Sequence, residues 1–489
     1  MSSKFYITTT LPYVNAAPHI GFATEIVRAD IFARWRRLLG DEVFFNTGTD
    51  EHGQKIYQKA LAEGKTPQAY VDEWAKKFKG LQSLLNLSPE LNFIRTTDEH
   101  HISAVQEFWR RCRANDDIYK KFYKIKYCVG CELEKQESEL EDGKCPLHPT
   151  LELQIVEEEN YFFRFSKYQK SLLELYEQKP AFVLPKSRLN EIKNFVSAGL
   201  QDFSVSRLVG KMPWGIPVPD DPAHVMYVWF DALVNYLSAI GWPDDEARFS
   251  RWWLESGGAV QFCGKDNLRQ QSAMWQAMLL SVGLPPSKVI LVEGFIISGG
   301  QKMSKSLGNV VSPLEIVAEY GVDAFRYQVA REFSIFEDSD FTWERFKEAY
   351  NANLANGLGN LTARIMKMSE NYFAEPIATE DTFESVITTV GNISSVWEQY
   401  NEALGAYDLN RAANVIWREI GEMDREIQER APFKLFKTAP EEARKIVRTL
   451  VFRLARLAVM LSPFLPETAE KIKQAILVNK MPEPLFIRK

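Results

Sequence analysis

The chain has 489 residues, of which 45% are hydrophobic and 25% charged, and its formal net charge is −6. This balance is ordinary for a folded protein with a core, and it excludes a disordered or low-complexity chain. No apolar run approaches the roughly 20 residues that cross a bilayer, and five cysteines are too few for a disulfide scaffold. We therefore expect a cytoplasmic protein of about three domains, without a membrane partner.

The N-terminal segment is predicted to form a strand, a turn and a helix. Residues 5–10 are β-branched and aromatic, and they are followed by the turn-rich LPYVNAAPHIG. Apolar residues then recur at the spacing of one helix face, namely Val27, Ile31, Trp35 and Leu38. A second strand is predicted over residues 42–47, running into GTDEHG. This alternation indicates an α/β nucleotide-binding sheet.

The turn before the first helix contains Pro18-His19-Ile20-Gly21. A glycine there lets the backbone approach a phosphate or an adenine, and a helix N-terminus offers unpaired amides to an anion. His19 adds a hydrogen-bond donor. A histidine in such a turn is more often structural, so this motif alone is a weak indication of nucleotide binding.

A cysteine cluster marks the interval of about residues 116–213, which has the texture of an insertion. Cys128, Cys131, Cys145 and His148 follow the spacing C-x2-C-x13-C-x2-H. Such spacing lets two tight turns complete a tetrahedral set of sulfur and imidazole ligands around one zinc ion. Because four protein ligands leave no open position, we expect the zinc to be structural.

After the insertion, three runs resemble strands, in HVMYVWFDAL, AVQFCGKD and KVILVEGFII. The third run leads into a glycine turn and then Lys302-Met303-Ser304-Lys305-Ser306. Two lysines on such a loop can fold over a triphosphate and neutralise charge on leaving pyrophosphate. The next segment, from Ser312, has the form of a capping box with proline at the first helical position.

Residues 343–489 are nearly all helical in pattern, with breaks at prolines such as Pro432 and Pro463. Within them, residues 430–489 contain 13 basic and five acidic residues, so this end carries +8 while the remainder carries −14. A polyanion senses the local field, so a basic end allows a nucleic-acid partner in an acidic protein. A solvated helix surface explains the charge equally well.

The histidine turn and the lysine loop, in this order around an insertion, resemble the two signatures of class I aminoacyl-tRNA synthetases. The sequence is most similar to the methionyl-tRNA synthetase family, through LPYVN, TGTDEHG, the single cysteine knuckle, VWFDAL and GKMPWGIPVP. The resemblance covers essentially the whole chain. It implies a Rossmann-type α/β catalytic domain over residues 1–115 and 214–342, split by a zinc-knuckle insertion over 116–213. An all-α helical bundle that binds the anticodon would occupy 343–489.

The resemblance implies a methionine–tRNA ligase that uses methionine, ATP with Mg²⁺, and initiator and elongator tRNA(Met), with one structural Zn²⁺. His19, Lys302 and Lys305 would be catalytic. The residues expected to bind ATP are His19, Gly21, Glu25, Gly264, Asp266, Lys302 and Lys305, with Lys265 close to the ribose. Those expected to bind methionine are Leu11, Tyr13, Asp50, Trp229, Tyr236 and Gln271. Those expected to read the anticodon are Asn360, Arg364 and Phe433.

Three positions depart from the family pattern. Phe22 replaces the second histidine of the first signature, Asn267 replaces an isoleucine, and Gln271 stands where relatives often carry a histidine. A glutamine amide still donates a hydrogen bond, so we expect a methionine pocket of altered polarity. Arg207 matches a family arginine near the active site, to which we assign no role.

Two other functions compete with this interpretation. A nucleotidylyltransferase uses a similar histidine turn, but this function would leave the cysteine cluster and the basic helical end unexplained. A non-enzymatic tRNA-binding relative is the second alternative, and Phe22 gives it slight support. Methionine-dependent exchange of pyrophosphate into ATP would distinguish the three. The chain ends soon after the helical segment, from which we expect a monomer.

Overall fold

The computed structural model describes residues 2–131, 133–135, 139–303, 309–388 and 395–489. Its strands, in chain order, are β1 (Lys4–Thr8), β2 (Glu42–Thr49), β3 (Asn92–Arg95), β4 (Ile118–Cys128), β5 (Leu133–Lys135), β6 (Gln154–Phe163), β7 (Val183–Leu184), β8 (Phe203–Ser204), β9 (Ser206–Leu208), β10 (Pro217–Val218), β11 (Asp221–Met226), β12 (Val260–Gly264), β13 (Val289–Glu293), β14 (Ile296–Ser298), β15 (Gln301–Lys302) and β16 (Ser339–Phe341).

The helices of the first two thirds of the chain lie between these strands. They are α1 (Ile20–Leu38), α2 (Gln54–Ala62), α3 (Pro67–Lys79), α4 (Leu81–Leu84), α5 (Glu99–Ala114), α6 (Gln169–Gln178), α7 (Lys186–Ser197), α8 (Val228–Leu233), α9 (Asn235–Ser238), α10 (Glu246–Phe249), α11 (Trp275–Ser281), α12 (Pro313–Tyr320) and α13 (Val322–Tyr327).

The C-terminal third is helical, as its pattern predicts. Its helices are α14 (Trp343–Ala349), α15 (Asn360–Tyr372), α16 (Glu380–Thr388), α17 (Ser395–Gly405), α18 (Leu409–Arg430), α19 (Pro432–Leu435), α20 (Pro440–Leu461) and α21 (Pro466–Leu477). Short 3-10 or π-helical segments extend several helices or link them, at Phe165–Tyr168, Ser250–Leu254, Lys265–Asn267, Gln270–Met274, Gln328–Glu332 and Tyr350–Gly359. None of the described helices is both long and apolar enough to span a membrane.

A parallel six-stranded sheet forms the centre of the molecule, in the order β3-β2-β1-β12-β13-β7. The first strand alternates in the way a sheet buried on both faces requires, because Phe5 and Ile7 enter one apolar cluster and Tyr6 enters the other. The mixed α/β fold predicted from the sequence is therefore confirmed. The strand order reverses beside β1, which is where open parallel sheets bind ligands.

The interval predicted as an insertion builds an antiparallel sheet, in the order β5-β4-β6-β8, that carries the cysteine cluster. The same interval also supplies β7, which joins the edge of the central sheet beside β13. The interval is therefore attached to the central sheet by backbone hydrogen bonds as well as by chain connectivity.

The run HVMYVWFDAL differs from the sequence expectation of a single strand. Its first residues end β11, which belongs to a small antiparallel sheet with β9 and β10. From Val228 the chain turns into α8, so Trp229 lies on a helix. The apolar residues of this run would be buried in a helix as well as in a strand, so a short apolar run does not distinguish the two.

Arg326 on α13 joins the sheet region to the helical bundle. Its guanidinium donates to Asp30 Oδ2 of α1 at 2.8 Å, and both side chains are fully buried. It also donates to the carbonyls of Pro463 and Phe464, each at 2.8 Å, in the connection between α20 and α21. Buried charges are stable only when paired and hydrogen-bonded, so these contacts fix one region against the other.

Candidate active site

A cavity of about 470 Å³ opens at the carboxyl ends of the parallel strands. Thr10 follows β1, Asp50 follows β2, Asp266 follows β12 and Gly294 follows β13, and all four residues line it. Because parallel strands end at a common edge, residues distant in sequence meet here. The cavity lies beside β1, at the reversal in strand order.

The histidine turn forms the N-terminus of α1 and lies on the cavity wall. His19 caps the helix, since its Nδ1 accepts a hydrogen bond from the Gly21 backbone N at 3.1 Å. A neutral imidazole that accepts at Nδ1 carries its proton on Nε2. A Cβ at Gly21 would lie 3.0 Å from two atoms of this ring, so glycine lets the imidazole lie across the helix start.

Two buried carboxyl groups, those of Glu25 and Glu293, line the same part of the cavity. Arg28 donates to Glu293 at 3.1 Å, and Thr10 donates to Glu25 through both its backbone N and its hydroxyl at 2.7 Å. Burial raises the pKa of Glu25 to about 8, and the nearby Glu293 carboxylate adds to the shift. Glu25 is thus mostly protonated at neutral pH, which limits the negative charge where an anion would bind.

All six residues expected to bind the amino acid line this cavity, namely Leu11, Tyr13, Asp50, Trp229, Tyr236 and Gln271. The turn that contains Asp50 is held by its backbone, because the Asp50 N donates to the Pro12 carbonyl at 3.0 Å. Gln271 Nε2 donates to the Tyr236 hydroxyl at 2.7 Å, and both side chains are buried. The wall thus combines apolar and aromatic surface with a carboxylate and an amide.

The three departures from the family pattern also line the cavity. Phe22 is only 8% exposed and meets the ring of Phe78 edge-to-face, with centroids 5.7 Å apart. An aromatic residue is tolerated at this position because α3 supplies an apolar partner for it. Asn267 and Gln271 place amide groups at the end of the cavity beyond β12.

Two basic residues singled out from the sequence, Lys265 and Arg207, are described but are not among the residues that line the cavity. Lys265 donates to both oxygens of Asp338, at 2.7 and 2.8 Å. Arg207 lies over the Tyr227 ring, 4.4 Å from its centroid, and donates to Ser204. The backbone of Lys302 pairs with β14, but its side chain and the whole of Lys305 lie outside the described residues.

The sequence-predicted metal ligands come together. The ligand atoms of Cys128, Cys131, Cys145 and His148 all lie within 4.8 Å of one another. His148 Nδ1 is 3.2 Å from the Cys131 sulfur and 3.8 Å from the Cys128 sulfur. Three thiols and an imidazole at these separations fit the ligand set of a tetrahedral structural zinc. The remaining cysteines, Cys112 and Cys263, are buried outside this cluster.

The cysteine knuckle contacts the cavity. Cys131 is one of the lining residues, and so is Lys55 of α2. Lys55 Nζ donates to the Gly130 carbonyl at 2.6 Å, inside the first ligand turn. A Cβ at Gly130 would lie within 2.7 Å of the His148 ring, so this turn requires glycine. The conformation of the knuckle therefore affects the rim of the cavity.

A second pocket lies in the helical region between α15, α18 and α19. Its volume is about 530 Å³, and Arg364 and Phe433 are among its lining residues. Arg364 forms an ion pair with Asp424 of α18, and Phe433 is 47% exposed. Tyr372 and Phe436, which also line it, stack with centroids 3.8 Å apart. Exposed aromatic surface next to cations is suited to an unstacked base.

Asn360 is exposed one helical turn before Arg364 on α15, and it is not among the residues that line this pocket. The two residues lie on one helix face because they are four positions apart. The structure thus brings Arg364 and Phe433 together and leaves Asn360 at the side.

Sequence reasoning missed several residues of the main cavity. Glu293 and Asn235 line it, and neither was predicted. Glu293 ends β13 just as Gly264 ends β12, so its position at the end of an apolar run could have indicated that it lies at the cavity. Asn235 lies in α9, after α8, and its position depends on the turn from β11 into α8 that the sequence pattern did not reveal.

Models of two protein families match the chain. A model described as tRNA synthetases class I (M) matches residues 5–152 and 134–366. A model described as the anticodon binding domain of methionyl tRNA ligase matches residues 380–485. Together the two matches cover most of the chain.

Curated proteins and solved structures are similar over almost the full length. The methionine–tRNA ligase of Thermotoga maritima is 40% identical over 98% of this chain and 76% of its own, and that of a Nostoc species is 41% identical over 96% and 89%. A structure of Mycobacterium tuberculosis methionyl-tRNA synthetase in complex with methionyl-adenylate is 34% identical, with a TM-score of 0.89 over 99% of this chain and 100% of that one. The apo form of that enzyme gives 0.82 at 31% identity, over 100% of this chain and 99% of that one.

Proposed function

Since the chain belongs to the methionyl-tRNA synthetase family of class I tRNA synthetases, we infer that it is a methionine–tRNA ligase. It activates methionine with ATP and transfers the aminoacyl group to tRNA. The observation that carries this inference is the single cavity at the carboxyl ends of β1, β2, β12 and β13. Residues that we assign to the amino acid and residues that we assign to the nucleotide line that cavity together, as the reaction would require.

The chemistry needs no protein nucleophile. A carboxylate oxygen of methionine attacks the α-phosphorus of ATP, so one phosphorus–oxygen bond forms while the bond to pyrophosphate breaks. The ribose hydroxyl at the 3′ end of tRNA then attacks the acyl carbon and releases AMP. Catalysis of both steps consists of positioning and electrostatic stabilisation. His, Gly and Lys in the two signatures suit this task better than a catalytic triad would.

At the nucleotide end, we assign ATP to His19, Gly21, Glu25, Gly264 and Asp266. His19 holds a proton on Nε2 that can be donated to a phosphate oxygen, because its Nδ1 is occupied by the Gly21 amide. Lys302 and Lys305 would neutralise the pyrophosphate as it leaves, with Mg²⁺ sharing that charge. The protonated state of Glu25 avoids repulsion of the polyanion.

At the amino-acid end, Asp50 would bind the methionine ammonium in a charge-assisted hydrogen bond. Leu11, Tyr13, Trp229 and Tyr236 would surround the side chain, and sulfur packs favourably against aromatic rings. Gln271 would set the polarity of the pocket through its hydrogen bond to Tyr236.

The cysteine cluster would hold one Zn²⁺ in a structural role, since four protein ligands complete a tetrahedral site. In the helical region, Arg364 and Phe433 would bind an anticodon base, with Asn360 contacting the adjacent part of the loop. The RNA would be tRNA(Met), in both its initiator and elongator forms. The +8 charge of residues 430–489 favours association with its phosphates.

The test is the exchange of labelled pyrophosphate into ATP, measured with and without methionine. We expect exchange that requires methionine and is abolished in Asp50→Asn. Asp116→Asn is the matched control, because Asp116 lies on the surface opposite Arg164. Methionine-independent exchange would instead identify a nucleotidylyltransferase, and absence of exchange would identify a non-enzymatic RNA-binding relative.

A further inference from the structure

A buried carboxylate lies directly behind the cavity wall. Asp231 of α8 is 0% exposed, and each of its oxygens meets a different imidazole. His52 Nδ1 is 2.7 Å from Oδ2, and His101 Nε2 is 2.9 Å from Oδ1. His101 Nδ1 is in turn 2.8 Å from the Ser238 hydroxyl. These four side chains come from the turn after β2, from α5, from α8 and from α9.

Neither histidine lines the cavity, and Asp231 does not line it either. Each partner nevertheless lies two residues from one that does. His52 follows Asp50 in the turn after β2, and Asp231 follows Trp229 in α8. The His52–Asp231 hydrogen bond therefore joins two of the segments that line the amino-acid pocket, the one with Asp50 and the one with Trp229.

We propose that Asp231 is a positioning residue, which fixes Asp50 relative to Trp229 so that one ligand engages both an ammonium site and a thioether site. The proposal deepens the proposed function and rests on it. Asp231 would touch no substrate. It would act through His52 on the Asp50 turn and through the backbone of α8 on the Trp229 ring.

The strength of this connection follows from its chemistry. Burial by itself raises the pKa of Asp231, but the imidazoles of His52 and His101 outweigh that effect and hold it below its usual value. Asp231 is thus an anion that accepts hydrogen bonds from both rings. Charge-assisted hydrogen bonds are shorter and stronger than neutral ones, and the site is closed to water. His101 fixes the carboxylate from α5, so Asp231 cannot simply rotate to follow a displaced His52.

Other contacts hold the Asp50 turn to its surroundings. The Trp214 indole donates to the Glu51 carbonyl at 2.6 Å, and the Asp50 backbone pairs with Pro12 and Val14. Loss of the Asp231 carboxylate should therefore leave the Asp50 turn folded while its position relative to Trp229 becomes less defined. A displacement of about 1 Å at such a site is enough to weaken a ligand that must reach both sides.

The variant Asp231→Asn tests the proposal on the full chain, with two ligands that differ only in the ammonium group. Binding of L-methionine and of 4-(methylthio)butanoate is measured by calorimetry or by competition. Methionine needs both sides of the pocket, whereas the deaminated acid can follow Trp229 alone. We expect the preference for methionine to fall about tenfold in Asp231→Asn. The KM for methionine in pyrophosphate exchange should rise by a similar factor, with the KM for ATP within about twofold of the parent.

Ser238→Ala is the matched control, because it removes the far end of the network and keeps both hydrogen bonds to Asp231. It should retain the preference. His52→Asn cuts the same connection from the other side and replaces Asp231→Asn if that variant does not fold. Equal weakening of both ligands, or no change in either, would overturn the proposal, since a purely structural residue gives one of those results. Absence of methionine-dependent exchange in the parent chain would count against the proposed function instead.

Discussion

Glu25 Oε1 accepts two hydrogen bonds of 2.7 Å from Thr10, one from its backbone N–H and one from its hydroxyl. Even so, burial raises the pKa of this carboxyl from 4.5 to about 8. A carboxyl group with a higher pKa in the folded state takes up a proton on folding between the two values. The free energy of unfolding therefore falls as the pH rises from about 4.5 to about 8.

We expect Glu25→Gln to flatten this dependence, because glutamine has a similar shape and no charge. Between pH 5 and pH 8.5 the free energy of unfolding of the variant should rise relative to that of the parent by on the order of 4 kcal/mol, at about 1.4 kcal/mol per pKa unit. Urea unfolding at pH 5, 7 and 8.5 measures the difference. Glu90→Gln changes a residue on the exposed surface, and its free energy of unfolding should vary with pH as that of the parent does. Parallel curves for Glu25→Gln would contradict the assignment of a raised pKa to this residue.

Lys305→Ala should lower the rate of adenylate formation by about two to three orders of magnitude, the effect of one lost transition-state contact. The dissociation constant of methionine should change little, since a lysine that binds the phosphates does not contact the amino acid. Single-turnover adenylate formation and equilibrium binding of methionine separate the two quantities. Lys170→Ala, on the exposed surface of α6, is the control. Equal losses in rate and in methionine affinity would exclude a phosphate-binding role for Lys305.

Cys131→Ser should abolish binding of one equivalent of zinc, measured by elemental analysis of the purified protein. Because Cys131 lines the cavity and the neighbouring Gly130 carbonyl accepts from Lys55, the KM for methionine should also rise. Cys112→Ala removes a buried thiol that lies outside the cluster, and it should retain the metal. A full equivalent of zinc in Cys131→Ser would show that the cluster is not the metal site.

Arg364→Ala should lower kcat/KM for charging of tRNA(Met) by roughly 10- to 100-fold, the range expected for loss of one base-reading arginine. Methionine-dependent pyrophosphate exchange should be unchanged, because the pocket in the helical region is separate from the catalytic cavity. Arg418→Ala is the control, since Arg418 lies on α18 and bonds Gln399 at the surface. A parallel loss of exchange activity would indicate a general structural defect.

Gln271→Leu should raise the KM for methionine about tenfold, because it removes the amide that donates to the buried Tyr236 hydroxyl. Gln271→His restores a donor of different shape, so we expect a smaller change in methionine affinity and an altered ranking of pocket inhibitors. Gln270→Leu is the control, since this adjacent buried glutamine does not line the cavity. Unchanged affinity and unchanged inhibitor ranking in Gln271→His would refute the role given to Gln271.

Local patterns were sufficient to predict the parts of the molecule that depend on spacing. The His19 turn begins α1, and the Cys128 and His148 turns converge, because each motif is defined by residues close together in the chain. Asp50 and Gly264 line one cavity, and the family resemblance had assigned them to the amino acid and to ATP.

Relationships set by tertiary packing could not be predicted. Phe22 is accommodated by Phe78 of α3, and no pattern within α1 indicates that contact. The hydrogen bond from His52 to Asp231 joins residues 179 positions apart. Trp229 reaches the cavity from a helix, where the apolar run alone had indicated a strand.

The buried Arg326 guanidinium has a practical consequence for protein engineering. Two of its acceptors, the carbonyls of Pro463 and Phe464, lie near the C-terminus, whereas Asp30 lies in the first helix. Truncation after β16 would remove two of the acceptors of this cation, together with the helices that cover it. A catalytic fragment without the helical region would therefore need new hydrogen-bond acceptors for Arg326 on that side, because a cation that loses its partners is costly to bury.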